Sequence, residues 1–279
     1  AKALRKRAKH LELRYAQHRC IKVNNGVILS AGGFIYNRPM VQQYAPDYRP
    51  GMPLGTSGCN GSGIQMGHSI GGQLQHMQRV SAWRFINPPQ AFTRGVLLNR
   101  QGKRYINEEL YGATIGEAMV EHNNGEAILI IDETLKKLAR TQVGHGKAQW
   151  FQTAPAILNL WFNCRKANSI AELARNCRMP EKVLNQTLND YVENAEAKHQ
   201  DPFGKSRDGC HVLRPPYYAI NCSIDSNRFP CPTLTLGGLV VDETTGQVRH
   251  TDGQLIDGLY AAGRTAVGIC SQQYVSGIS

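Results

Sequence analysis

Apolar positions along the chain gather in short unbroken runs that end in glycine-rich turns, and fall at helical spacing mainly in the middle third. The opening ALRKRAKHLELRY reads as the end of a helix, with Leu4, Ala8 and Leu11 on one face over a core, followed by a strand within Leu11 to Val23. Gly26 to Phe34 (GVILSAGGF) is a continuous apolar strand ending in two glycines, as expected of a parallel strand buried on both faces. Gly55 to Leu74 is so rich in glycine that it forms a helix only where close packing rewards it; otherwise Gly61 and Gly63 are loop glycines.

The middle of the chain reads differently. Gly95 to Ile106 predicts a hairpin turning at Arg100-Gln101-Gly102-Lys103. Gly125 to Ile131 predicts a strand, with Asp132 capping the helix DETLKKLAR. Ser169 and Glu172 have capping-box spacing, and Pro180 suits the first turn of a helix carrying Val183, Leu184, Leu188, Tyr191 and Val192 on one face. Pro215 to Tyr218 leads back toward the sheet, and Gly237 to Asp242 with Gly246 to Val248 reads as a hairpin beside the opening stretch. Last comes an apolar strand, Leu259 to Ala262, running into Gly263, and a second glycine-rich turn carrying Tyr274, Ser276 and Gly277 into the start of a helix. Small residues at a strand end let a flat or phosphorylated ligand approach the backbone, and a helix start attracts negative charge. The expected fold is α/β: a sheet domain split in sequence (residues 1–82 and 219–279) with an α+β unit, residues 83–218, inserted into it.

Composition narrows the classes. A chain of 279 residues with 41% hydrophobic content can bury a sizeable core. No apolar run approaches the ~20 residues of a membrane span, and AKALRKRAKH lacks the apolar centre of a signal peptide, so a cytoplasmic protein without an integral membrane segment is expected, with membrane association left open. The eight cysteines form no CxxC or Cys/His cluster, so neither a metal site nor a redox motif is indicated. The formal charge of +11 raises nucleic acid as a partner, but the densest basic run, Lys2 to Lys9, reads as a solvated helix face, and no nucleic-acid partner is expected.

Four stretches then occur in order: VILSAGGF (Val27 to Phe34), GSGIQMGHSIGG (Gly61 to Gly72), GKRYINEE (Gly102 to Glu109), and TLGGLVVDETTGQV followed by DGLYAAG (Thr235 to Gly263). Together they resemble the FAD-dependent fumarate reductase and 3-oxosteroid dehydrogenase flavoprotein family. The resemblance implies FAD as cofactor, a split Rossmann-like FAD-binding domain with an inserted substrate cap, and cofactor contacts at Ala31, Gly32, Gly33, Gly61, Gly63, Gly263, Gly277 and Ile278. Two features depart from the family. No GxGxxG turn with its following acidic residue is present, and Leu11 to Asn25 is too short for the usual β region, so the sequence is expected to be part of a longer protein. Arg264 stands where relatives often carry an acidic residue or Asn, and no flavin contact is assigned to it.

Within the family, fumarate-reducing members carry a His and an Asn-Arg pair in the last segment, whereas this chain has Ser271-Gln272-Gln273-Tyr274-Val275-Ser276-Gly277, with hydroxyls and no cation. This resembles the 3-oxo-5α-steroid 4-dehydrogenases and implies Tyr274, Ser276 and the upstream Tyr111 as catalytic residues, with Tyr274 and Ile278 touching substrate. Removing hydrogen from two saturated carbons requires that a neighbouring carbonyl's developing negative charge be stabilised, which the Tyr274 hydroxyl and a backbone N–H near Ile278 can do. Neither Tyr nor Ser is a strong base unaided, so a relay through Ser276 and Tyr111 is expected. The implied partners are a steroid substrate and an electron acceptor. Open alternatives are desaturation at C1–C2 instead of C4–C5, another fumarate-reductase-like flavoprotein, a non-catalytic flavoprotein fragment, and a plain packing role for Tyr111. His68 and His76 are read as structural.

Overall fold

The structure, a computed structural model, describes residues 2–17, 19–143, 159, 162–268, 270–271 and 274, the side chains of residues 2, 5 and 9 excepted. The first half contains α1 (Lys2–Tyr15), β1 (Val27–Leu29), α2 (Arg38–Tyr44), β2 (Met52–Pro53), α3 (Ser62–Ser69), β3 (Leu74–Gln75), β4 (Val80–Ala82), β5 (Val96–Leu98), α4 (Gly112–His122), β6 (Ile128–Asp132) and α5 (Glu133–Gln142). The second contains β7 (Cys164–Ala167), α6 (Ile170–Cys177), α7 (Glu181–Glu196), β8 (Tyr217–Asn221), β9 (Pro232–Thr235), β10 (Gly238–Leu239), β11 (Gln247–Arg249) and β12 (Leu255–Ala261). Among the described residues no helix is long and apolar enough to cross a membrane.

The sheets join the two ends of the sequence. β1 runs parallel to β12, with Leu29 opposite Ala261, and β11 pairs antiparallel on the other edge of β12. A second sheet, β2-β9-β4, and the β10-β3 pair stitch further early residues to late ones. Between these segments lies an antiparallel sheet ordered β5-β6-β8-β7. Its two strands β5 and β6 form the apolar centre: Val96, Leu97, Leu98, Leu129, Ile130 and Ile131 are all fully buried, clustered with Phe92, Ile115 and Met119, whereas Arg165 and Lys166 of the edge strand β7 are exposed. Burying such side chains at about 25 cal/mol per Å² of apolar surface makes this the main core.

Local chemistry fixes the helix starts of this unit. Asp132 ends β6 and accepts a hydrogen bond from the Leu135 N–H (2.9 Å), capping α5. The Ser169 hydroxyl likewise accepts from Glu172 N (3.2 Å), while the Glu172 carboxylate turns back to Asn168 N rather than to the cap residue itself. Pro180 sits at the cap position of α7, whose Leu184, Leu188 and Tyr191 are buried. The hairpin after β5 turns through Gly102 (φ 75°) and closes with the Leu98–Arg104 bridge.

Two expectations are corrected. Leu11 to Tyr15 continue α1 instead of starting a strand, because Leu, Glu and Arg extend the helical repeat and are good helix formers. Nor does a core lie beneath that helix among the described residues: Leu4 is 73% exposed. Likewise β1 is shorter than GVILSAGGF and is an edge strand of its sheet, so Ile28 is 67% exposed instead of buried on both faces.

Candidate active site

The parallel pair β1/β12 ends in two turns that meet. Ala262 N donates to Leu29 O (3.0 Å), and just beyond, the Thr265 hydroxyl donates to Gly32 O (3.1 Å). The start of α3 closes the third side: Gly61, left-handed at φ 79°, caps the helix, and its N–H donates to Gly33 O (3.1 Å). Side chains are excluded where these segments touch. A Cβ on Gly63 would lie 3.1 Å from the Ala31 Cβ and 3.2 Å from Thr265, and one on Gly33 would collide with the Thr235 hydroxyl, which accepts from Phe34 N (3.0 Å). Ala31, Gly32, Gly33, Gly61, Gly63 and Gly263 are therefore brought together around one cleft. Gly277, Ile278 and Ser276 lie outside the described residues.

Arg264 enters this cleft, which the sequence reading did not foresee. Its Nη2 lies 3.3 Å from Cys59 Sγ, and a Cβ on Gly55 would sit 3.5 Å from the same nitrogen. Its Nη1 is buried without a hydrogen-bond partner among the described residues. An unpaired buried guanidinium N–H costs about 1–3 kcal/mol, a cost that an oxygen-rich ligand removes. Beside it lies a cavity of about 280 Å³, with Leu236, Ala261, Arg264 and Ser271 in its wall. Side-chain-free turns, a helix start and an unsatisfied cation make a donor set that suits a phosphorylated, flat cofactor.

Strand β9 couples this cleft to an aromatic wall. Thr235 faces Gly33 and Phe34, while its neighbours Leu234 and Leu236 face the other way and pack with Tyr274 and Ala113. From Tyr274 a continuous series of ring contacts follows. Trp83 lies 4.7 Å from Tyr274, Phe85 stands edge-on to Trp83 at 5.9 Å, and Tyr111 stands edge-on to Phe85 at 5.2 Å. Tyr111 occupies the cap position of α4 but makes no side-chain cap, so its ring is free to point into the wall. Among the described residues Trp83 Nε1 is buried without a hydrogen-bond partner. The structure thus connects the two predicted tyrosines through Trp83 and Phe85, which sequence reasoning missed. The only available signal was an aromatic pair flanking Arg84 at a strand end.

Behind the wall, buried charge holds the Tyr111 segment. Glu108 is fully buried between Arg104 (2.7 Å) and Lys205 (3.1 Å), and Arg104 also pairs with Asp201. Glu109 anchors the 206–209 loop through Ser206 N and Oγ, both at 2.7 Å.

A family model of the FAD binding domain matches residues 11–278. The chain belongs to that family. FAD is accordingly its cofactor, and the split FAD-binding domain with an inserted cap is the fold of its structural relatives. This FAD-binding chain is 40% identical over 217 residues to a 3-oxo-5-alpha-steroid 4-dehydrogenase of Comamonas testosteroni, covering 77% of this chain and 41% of the relative. A 3-oxosteroid 1-dehydrogenase of Mycobacterium tuberculosis is 26% identical over 305 aligned positions, covering 94% of this chain and 51% of that one. The crystal structure of a 3-ketosteroid-delta4-(5alpha)-dehydrogenase from Rhodococcus jostii RHA1, in complex with 4-androstene-3,17-dione, matches with a TM-score of 0.80 at 27% identity, over 94% of this chain and 51% of that one. The FAD-binding chain spans about half the length, or less, of these relatives.

Proposed function

We propose that this chain is the FAD- and steroid-binding part of a dehydrogenase that converts a 3-oxo-5α-steroid to the 3-oxo-4-ene. The observation that carries this reading is the run Tyr274-Trp83-Phe85-Tyr111, a continuous aromatic wall with phenol hydroxyls at both ends, coupled through β9 to the glycine cleft. The 40% identity to the Comamonas enzyme supports the same substrate class. Residues 83–218 then serve as the substrate cap, with the chain returning through β8, and residues 1–82 and 219–279 as the cofactor side.

In this reading the Tyr274 hydroxyl, with a backbone N–H near Ile278, donates to the C3 carbonyl oxygen and stabilises the negative charge that develops there when the C4 proton leaves. Ser276 and Tyr111 pass that proton toward solvent, since neither side chain holds it at neutral pH. Gly32, Gly33, Gly61, Gly63 and Gly263 admit the cofactor closely, and Arg264 neutralises its negative charge. FAD, when bound, supplies the two-electron acceptor for the C5 hydride. Turnover would then require an electron acceptor.

Anaerobic mixing of the FAD-loaded protein with a saturated 3-ketosteroid tests the proposal: bleaching of the flavin absorption with formation of a C4–C5 double bond is expected. A C1–C2 double bond would favour the second reading, which the resemblance to the mycobacterial 1-dehydrogenase keeps in view. A flavin that stays oxidised with every 3-ketosteroid tried would overturn both.

A further inference from the structure

A second cavity, of about 440 Å³, opens on the antiparallel sheet and shares no residue with the glycine cleft or the aromatic wall. Ile128 of β6 and Ala219 of β8 line it, and four arginines surround it: Arg100 from the β5 turn, Arg165 of β7, Arg178 at the end of α6 and Arg228 from the loop after β8. Arg100 is spent on Glu126 (3.0 Å). The other three have no ion-pair partner among the described residues, and Asp225 is the one acidic side chain in the lining.

Two of these guanidinium groups are held in place by backbone rather than by acid. Arg165 donates to Asn176 O (2.9 Å) and Arg228 to Phe162 O (2.6 Å), so each is oriented without being neutralised. Arg178 occupies the left-handed position after α6 at φ 56°, a site that favours glycine and strains any other residue except, to a degree, Asn. Converging like charges repel, and an arginine in a glycine position adds strain. Both costs are offset if an anion sits between the guanidinium groups.

We propose that this cavity binds a small anion bearing two or more phosphoryl groups. A carboxylate is satisfied by one guanidinium fork, whereas arginines arriving from three separate elements match the several oxygens of a diphosphate. The volume lies within the range of small-molecule sites, and Asn163, Asn176 and Asn227 add neutral amide groups to the lining.

Calorimetric titration of the FAD-loaded protein with inorganic pyrophosphate tests this, because the flavin site is then already filled. Saturable one-to-one binding with Kd below about 1 mM is expected, at least tenfold tighter than succinate, which carries its two charges on carboxylates. Arg228→Ala and Arg178→Gly should each weaken it by about tenfold or more, the loss of a charged hydrogen bond. Arg178→Gly also relieves the backbone, so its thermal stability should be equal or higher and its flavin spectrum unchanged. Lys22→Ala, on exposed chain outside the cavity, should bind as the parent does. No saturable binding, equal affinity for succinate, an unaffected Arg178→Gly, or an equal loss in Lys22→Ala would each overturn the assignment.

Discussion

The indole of Trp83 lies against the phenol of Tyr274, with ring centroids 4.7 Å apart and planes tilted by 39°. The contact matters because Trp83 is itself fixed, its backbone N–H donating to Pro232 O at 2.7 Å, so the tyrosine inherits its orientation from β9. Removing the ring should leave Tyr274 free to rotate. Trp83→Ala is expected to reduce steroid affinity and the rate of flavin reduction by about tenfold each, given ~0.5–1.5 kcal/mol for the ring pair plus lost apolar area. Trp83→Phe should recover most of the affinity. Titration of the flavin spectrum with a steroid, followed by anaerobic reduction, separates the two effects, and wild-type behaviour in Trp83→Ala would remove it from the wall.

Arg264 separates cofactor binding from stability. Its Nη1 is buried and unpaired among the described residues, so replacing it with Met should leave the stability of the flavin-free protein unchanged or raised. FAD affinity should fall by about tenfold, the worth of one charge-assisted hydrogen bond. Denaturation of the flavin-free protein and fluorescence titration with FAD give the two numbers independently.

The charge network behind Tyr111 should respond to single and double changes differently. Glu108→Gln leaves Arg104 and Lys205 facing each other with Asp201 alone to offset them, and a cost of about 3–5 kcal/mol is expected for breaking such a buried pair. Adding Lys205→Met removes one of the orphaned charges. The double variant should therefore be less destabilised than the sum of the two singles, as read from urea midpoints.

Asp132 gives a pH-dependent signature. Burial alone would raise its pKa, but His211 Nε2 at 2.7 Å and the Leu135 N–H outweigh burial and hold it below the usual carboxylate range. A lowered folded-state value means that its contribution is complete above the ordinary carboxylate pKa and is lost as pH falls through the lowered one. Asp132→Asn should thus cost about 1–3 kcal/mol at pH 7. The gap to the parent should narrow below roughly pH 4, which denaturation curves at both pH values would reveal.

The sequence carried what depends on neighbours along the chain. Asp132 and Ser169 cap helices because a short acceptor precedes a helical run, and GLYAAG and VILSAGGF meet because each is an apolar strand closing in small residues. Exposure was harder to read. Ile28 looks like core until β1 is known to be an edge strand, and Leu4 looks buried until it is found exposed on α1 among the described residues. Trp83, Phe85 and Arg264 were illegible for a different reason: their importance arises from what they touch, and those partners lie far away in sequence. Arg84, between the two rings, was hidden in the same way. It is fully buried with no ion-pair partner among the described residues, held by Phe229 O (3.0 Å) and by the face of the Phe229 ring.

In the proposed reaction the hydroxyls of Tyr274 and Ser276 divide the labour. Tyr274 is mostly buried against Leu234, Leu236 and Trp83, so its hydroxyl is the one polar group that its ring presents to a ligand on the wall. If that hydroxyl stabilises the charge on the substrate carbonyl, its worth is realised chiefly as the proton departs, and losing one such donor costs about 10²–10³ in kcat. Tyr274→Phe should therefore slow flavin reduction by that factor with little change in steroid affinity. Ser276→Ala should also slow reduction, through the proton rather than the carbonyl, and leave affinity nearly intact. A C4-deuterated substrate distinguishes the roles: its isotope effect should persist in Tyr274→Phe, where proton removal stays limiting, and Ser276→Ala should reduce its flavin more slowly than the parent with either isotope. A Ser276→Ala protein that is reduced at the parent rate would take serine out of the proton path and make C1–C2 desaturation the better assignment.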